Sequence, residues 1–357
     1  MRETNSFILL HLWGINMNTH TTWSKLFEAQ RETQFSGSIY VSKRDQALFS
    51  DSFGYAVHSE KIKNQPKTRF SIASGCKIFT SVAICQLVAE GKLAFTTKLK
   101  DCVAIPFPHF DDNITIHHLL THTSGIPDYF DESEMDDYEE LWVEYPMYRV
   151  RSPRDFLPLF QHKPMKKEVG SPFTYNNSGY ILLGLVIEEV SGMKFVDYVE
   201  EKIFKPAGMS ESGYFSADSL PANVSIGYIK KPDGTWKTNI FSLPATGGPD
   251  GGAYVTAPDI GRFWKALMNE KLLSGDMVRT LMTPHVPVDD DLYYAYGGLQ
   301  QSNESGMIKY IQMGYDPGVN YRSVYYPKED LTIVVCSNKS DGAFEILEAA
   351  EQLTVHL

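Results

Sequence analysis

Ser74 and Lys77, three residues apart in Phe70-Ser71-Ile72-Ala73-Ser74-Gly75-Cys76-Lys77-Ile78-Phe79-Thr80, carry the first chemical signal in the sequence. If a helix opens at or near Ser74, that spacing puts both side chains on one face, about one turn apart. A serine hydroxyl is a poor nucleophile until a neighbour takes its proton, and a lysine can do so when burial lowers its pKa. The run from Ile78 to Ala89 promises that burial: it is apolar nearly all round, the pattern of a helix inside a domain, with Gly91 as its stop. The helix N-terminus would also offer free N–H groups and a positive dipole end to an oxyanion at Ser74.

The spacing by itself is not specific, because Ser191-Gly192-Met193-Lys194 repeats it. There the serine ends the amphipathic run from Tyr180 to Val190, where the helix dipole opposes an oxyanion. That second copy reads as a helix–helix connection.

Two further stretches supply companions. Tyr175 and Asn177 precede a helix in Phe173-Thr174-Tyr175-Asn176-Asn177-Ser178-Gly179. A phenol beside an ammonium serves in proton transfer, and an amide fixes a lysine or a substrate carbonyl; the plainer reading is a helix N-cap at Asn177 or Ser178. In Gln312-Met313-Gly314-Tyr315-Asp316-Pro317-Gly318, a glycine on a strand edge would let a substrate backbone approach, and the Tyr315 N–H would complete an oxyanion hole with that of Ser74.

These groups need elements to position them. Trp23 to Gln30 reads as an opening helix, and Gly37–Val41 with Ala47–Ser50 as a hairpin about Lys43-Arg44-Asp45. A second hairpin pairs Ser323–Tyr326 with Leu331–Cys336, and a helix over Ala343 to Leu353 closes the chain. Between them lie helical patterns at Ile116–His122, Tyr180–Val190, Phe195–Phe204 and Gly261–Met268. The expectation is an α/β (α+β) fold, with one antiparallel sheet built from both chain termini, flanked by helices and carrying an inserted, mostly helical domain. The expected boundaries are residues 23–80 and 240–357 for the sheet domain and 81–239 for the helical domain, with the active site in the cleft between them. Residues 1–22 stand as an N-terminal extension, with Met17 available as an alternative start.

Composition narrows the function. At 357 residues and 43% hydrophobic content the chain can hold one large domain or two ordinary ones. A formal charge of −11 without a basic cluster argues against nucleic acid as a partner, and no apolar run reaches the length of a transmembrane segment. The segment Phe7–Ile15 is a poor signal peptide: both Arg2 and Glu3 precede it and no small-residue cleavage site follows. The four cysteines, Cys76, Cys85, Cys102 and Cys336, show no metal spacing and read as free thiols. Cys76, between the two candidate catalytic residues, reads as a small core side chain, with a reactive thiol as the alternative. The weak leader and the free thiols lean the expected localisation toward the cytoplasm, with secretion open. His118 and His122 are spaced i, i+4 but lack a third ligand, so structural histidines and no metal are expected. Between Asp128 and Glu144 stand nine carboxylates and no base, read as a solvated acidic lid or, alternatively, a rim that attracts cations.

Ser74-x-x-Lys77, Tyr175-x-Asn177 and Gln312-x-Gly314, in that order, resemble the three motifs of the serine β-lactamase and penicillin-binding protein superfamily. The closest resemblance within it is to the branch of class C β-lactamases, D-aminopeptidases and β-lactamase-fold esterases. Leu119-Leu120-Thr121-His122-Thr123-Ser124-Gly125-Ile126-Pro127, Ile203–Met209 and Gly251–Asp259 fit the same pattern, which covers residue 23 to the end. The resemblance implies an acyl-enzyme mechanism without metal or cofactor. In it Ser74 is the nucleophile, Lys77 the base, Tyr175 the acid/base for the leaving group and Asn177 a positioning group. Gln312 departs from it, since Lys or His is usual there, and a neutral amide cannot hold a substrate carboxylate by charge. β-Lactam hydrolysis and D,D-carboxypeptidase activity are therefore in doubt, with Arg322, at the start of the next strand, a candidate replacement charge and more simply a surface residue.

Three functional readings follow. The first is a serine hydrolase cleaving an amide or ester, with a D-amino-acid peptide or similar small substrate. The second is a small-molecule carboxylesterase in the same site. The third is a catalytically impaired ligand-binding or regulatory module. Oligomeric state is left open.

Overall fold

A computed structural model describes residues 23–44, 46–131, 135 and 138–354. Its centre is an eight-stranded antiparallel sheet. The strands are β1 (Gly37–Lys43), β2 (Gln46–Phe53), β3 (Val286–Asp289), β4 (Leu292–Tyr294), β5 (Leu299–Asn303), β6 (Gly306–Asp316), β7 (Val319–Tyr326) and β8 (Leu331–Ser337). They lie in the order β2-β1-β8-β7-β6-β5-β4-β3, so the first hairpin docks on the last strand and both termini share one sheet. Every residue of β8 is buried because helices cover both faces there.

Five helices matter to the argument: α1 (Ser24–Glu32), α2 (Lys77–Ala89), α3 (Asn177–Ser191), α4 (Ala257–Met268) and α5 (Ala343–Thr354). On one face, α1 and α5 pack Trp23, Leu26, Ile346 and Ala350 against Ile39, Val41, Val324, Ile333 and Val335. On the other, α4 and the helical middle of the chain bury Val334, Cys336, Tyr321 and Tyr325. The period-2 alternation of each strand thus feeds two cores.

The expected helices and hairpins are present, with ends displaced by a few residues. The Ile116–His122 helix stops at Leu120 because His122 adopts a left-handed backbone, φ +58°. Phe195–Phe204 is α-helical only to Val199. Gly192, at φ +72°, terminates α3, so the second Ser-x-x-Lys copy lies at a helix end as expected. Strands β3 to β5 were not anticipated: their runs are short and polar, and they exist as strands because β6 offers an edge to pair with. The Phe7–Ile15 segment and the centre of the acidic stretch fall outside the described residues. Among the described residues no helix is long and apolar enough to cross a membrane.

Candidate active site

Ser74 does not open the α-helix itself. It sits in a 3-10 turn, Ala73–Cys76, that feeds α2 at Lys77. Ala73 is held at φ +46°, a strained value for a residue with a Cβ, which throws the Ser74 side chain out of the strand-to-helix corner. The turn is pinned to the sheet by two glycines. A Cβ at Gly314 would fall 2.0 Å from the Ile72 carbonyl oxygen, and one at Gly75 would fall 2.4 Å from the Tyr321 ring. At Gly314 the protein's own turn makes a close approach.

Lys77 is 1% exposed. Its Nζ donates to Ser74 Oγ at 2.9 Å, Asn177 Oδ1 at 2.9 Å and the Asp250 carbonyl oxygen at 2.6 Å, which uses all three ammonium protons. The Tyr175 hydroxyl donates to the same Ser74 Oγ at 2.8 Å. Burial works against the charge on Lys77, but the neighbouring oxygens of Tyr175 and Asp250 outweigh it, and the ammonium is held above the ordinary lysine range. Burial lowers the Lys77 pKa as expected, but the net direction is upward because the neighbouring groups outweigh it. Three well-placed acceptors replace the lost water.

Asn177 is the first residue of α3, whose N-cap is the Asn176 side chain, accepting from Gly179 N at 2.8 Å. The next two N–H groups of that terminus donate to Asp128, Asn177 N at 2.7 Å and Ser178 N at 3.0 Å. Asp128, counted above within a solvated acidic lid, is buried, and burial lifts its carboxyl to about 6 against the hydrogen bonds it accepts. Glu139 pairs with Lys237 at 2.7 Å while staying partly exposed, and Trp142 is buried. Neither Asp128 nor Asp250 was singled out in the sequence; the signal available was an aspartate directly after Ser124-Gly125-Ile126-Pro127 and another inside the Gly247–Gly252 loop.

A cavity of about 240 Å³ opens beside Ser74 and Asn177. Trp142, Phe156, Leu220, Ile240 and Leu243 form an apolar wall, and Asp250 and Asp316 contribute carboxylates. No lysine, arginine or histidine lines it among the described residues.

The third motif sits differently from the other two. Gln312 is fully buried, accepts from the Tyr321 hydroxyl at 3.1 Å through Oε1, and does not line the cavity. Tyr315 points its side chain to solvent. Arg322 pairs with Met313 in register and lies over the Phe344 ring of α5, on the sheet face opposite Gln312 and Gly314, so it cannot replace the missing charge. Cys76 is a buried thiol pushed up to about 12 by burial, and its Sγ donates to the Gly248 carbonyl at 3.5 Å, the core reading. His118 caps the helix start at Thr115, and His122 packs between Tyr175 and Tyr294; among the described residues no cluster could hold a metal ion.

The family model described as Beta-lactamase matches residues 23–356. Penicillin-binding protein 4* of Bacillus subtilis is 30% identical over 348 residues, 92% of this chain and 74% of that protein. The crystal structure of a penicillin-binding protein from Bacillus halodurans superimposes with a TM-score of 0.89 at 52% identity, covering 92% of this chain and 99% of that one. An octameric penicillin-binding protein homologue from Pyrococcus abyssi superimposes with a TM-score of 0.82 at 27% identity, covering 94% and 77%. With its sheet of both termini and its Ser74-centred cluster, the chain belongs to the Beta-lactamase family, in the serine-hydrolase branch of the β-lactamase and penicillin-binding protein superfamily.

Proposed function

We propose that this protein cleaves a small amide or ester through an acyl-enzyme on Ser74. The observation that carries the reading is the shared contact at one atom: Lys77 Nζ and the Tyr175 hydroxyl both lie within hydrogen-bond reach of Ser74 Oγ. Lys77 and Tyr175 act as a coupled pair, and the form that has lost one proton is the base. With Lys77 as the ammonium and Tyr175 as the deprotonated partner, the proton leaves Ser74 toward the Tyr175 oxygen and Lys77 stabilises the resulting charges. Tyr175 then returns the proton to the leaving group. The backbone N–H groups of Ser74 and Tyr315 are the oxyanion donors in this scheme, supported by the seating of Gly314 on the Ser74 turn.

The cavity supports an acyl group that is neutral or carries an amine: among the described residues two aspartates line it and no lysine, arginine or histidine does. A D-amino-acid peptide with a free amino group meets that description. The second reading, an esterase for neutral acyl groups, is favoured by the apolar wall and by the burial of Gln312. Intact mass after separate incubation with a penicillin, an activated ester and a serine-directed phosphonate, with Ser74→Ala alongside, tests the acyl-enzyme. A well-folded sample that no reagent labels overturns it and favours the non-catalytic module. Release assays on free and N-acetylated D-aminoacyl peptides separate the substrates, since equal rates on both remove the amine reading.

A further inference from the structure

Asn177 touches the catalytic lysine at one end of its amide and a buried carboxylate at the other. Asp128 Oδ2 accepts from Asn177 N at 2.7 Å and from Asn177 Nδ2 at 3.3 Å. Asp128 Oδ1 accepts from Ser178 N at 3.0 Å, Ser178 Oγ at 3.1 Å and Tyr129 N at 2.7 Å. A carboxylate only accepts and an ammonium only donates, so the amide between them has one favourable orientation, Nδ2 toward Asp128 and Oδ1 toward Lys77.

We propose that Asp128 is a positioning residue for the reaction at Ser74: it fixes the Asn177 amide so that Oδ1 faces Lys77 Nζ and holds the ammonium on Ser74 Oγ. The inference rests on the acyl-enzyme reading above. A neutral group at position 128 can itself donate to Asn177 Oδ1. That permits the flipped amide, which presents an NH₂ to the ammonium and drives Lys77 away from Ser74. Among the described residues the Asp128 carboxyl meets the cavity lining at Asn177 and Tyr129, so it works at one remove from the reacting atoms.

The titratable groups around it are Lys77 from α2, Tyr129 of its own segment and Asp250, whose carboxylate takes the Tyr129 hydroxyl at 2.5 Å. Lys77 and Tyr129 are both held above their ordinary ranges, far from neutral pH, while burial raises Asp250 as it does Asp128. His122, fully buried nearby, is held well below its usual value by burial and by Lys77.

Two measurements on the whole protein test the proposal. The first is the rate of Ser74 labelling by the phosphonate for wild type, Asp128→Asn, Asn177→Ala and the double variant. Asp128→Asn is expected to slow labelling about 10–100-fold in wild type and by no more than about twofold in the Asn177→Ala background. An unchanged rate, or equal losses on both backgrounds, overturns it. The second needs neither turnover nor an Asp128 variant: the Asn177 side-chain amide resonances, assigned by their loss in Asn177→Ala, are followed between about pH 5 and about pH 8. They are expected to move with an apparent pKa about 6, and to do so equally in Tyr129→Phe, which detaches Asp250. Resonances that stay put overturn the positioning role. If wild type fails to label but the amide titrates, the acyl-enzyme reading fails and the Asp128–Asn177 coupling stands.

Discussion

Lys77 Nζ and Asn177 Oδ1 stand 2.9 Å apart although 100 residues separate them, because α2 and α3 both begin at the same point beside the sheet. The contact makes an amide oxygen part of the solvation of a buried ammonium. It also binds the Ser74 turn to α3.

Tyr175→Phe removes a hydroxyl whose described hydrogen bond is to Ser74 Oγ. Phosphonate labelling of Ser74 is expected to fall by about 10²–10⁴-fold, the usual worth of a positioned acid/base. Circular dichroism should show the fold unchanged. Labelling at the wild-type rate would assign proton removal to Lys77 instead.

Gly314→Ala inserts a methyl group 2.0 Å from the Ile72 carbonyl oxygen, which is backbone and cannot swing aside. A loss of about 1–3 kcal/mol in denaturant titration is expected, as for other overpacked sites. Labelling should slow as well, since the turn that moves carries Ser74. A stable variant with normal labelling would mean that β6 does not brace the nucleophile.

Ile240 is half exposed at the cavity wall, so Ile240→Ala should leave stability nearly untouched. If the wall holds the acyl group, KM for a long-chain p-nitrophenyl ester is expected to rise about tenfold while that for the acetyl ester stays level. Equal effects on both esters would place the acyl group elsewhere.

His117 donates or accepts at Tyr296 OH, 2.8 Å from its Nδ1, and burial, with the charges of His285 and His118, lowers its pKa to about 4. The folded state therefore keeps it neutral where the unfolded chain takes up a proton. Its contribution to stability is present above about pH 6.5 and is lost as pH falls toward about 4. Urea midpoints of wild type and His117→Gln should diverge across that window, with wild type losing more on acidification. Parallel curves would show that His117 titrates alike in both states.

Much of this organisation can be read in the chain because its signals are local. The apolar run after Lys77 reads as a buried helix, the alternation in Gly37–Val41 as a strand, and the continuous β-branched run Leu331–Cys336 as a strand covered on both faces. The order Ser74, Lys77, Tyr175, Asn177 marked the candidate site for the same reason. Each sits at or just before the start of a helix, where sequence patterns are sharpest. Tertiary structure decided what those patterns leave open. The charge state of Lys77 depends on Tyr175 and Asp250, brought in from distant parts of the chain, and no spacing reveals them. Asp128 looks like one carboxylate among nine until the fold buries it under α3. Gln312 and Arg322 look like neighbours of the site until the strand pleat turns one into the core and the other to the far face. Helix starts and strand periods are written within a few residues, whereas charge state and burial are set by contacts between residues far apart in the chain.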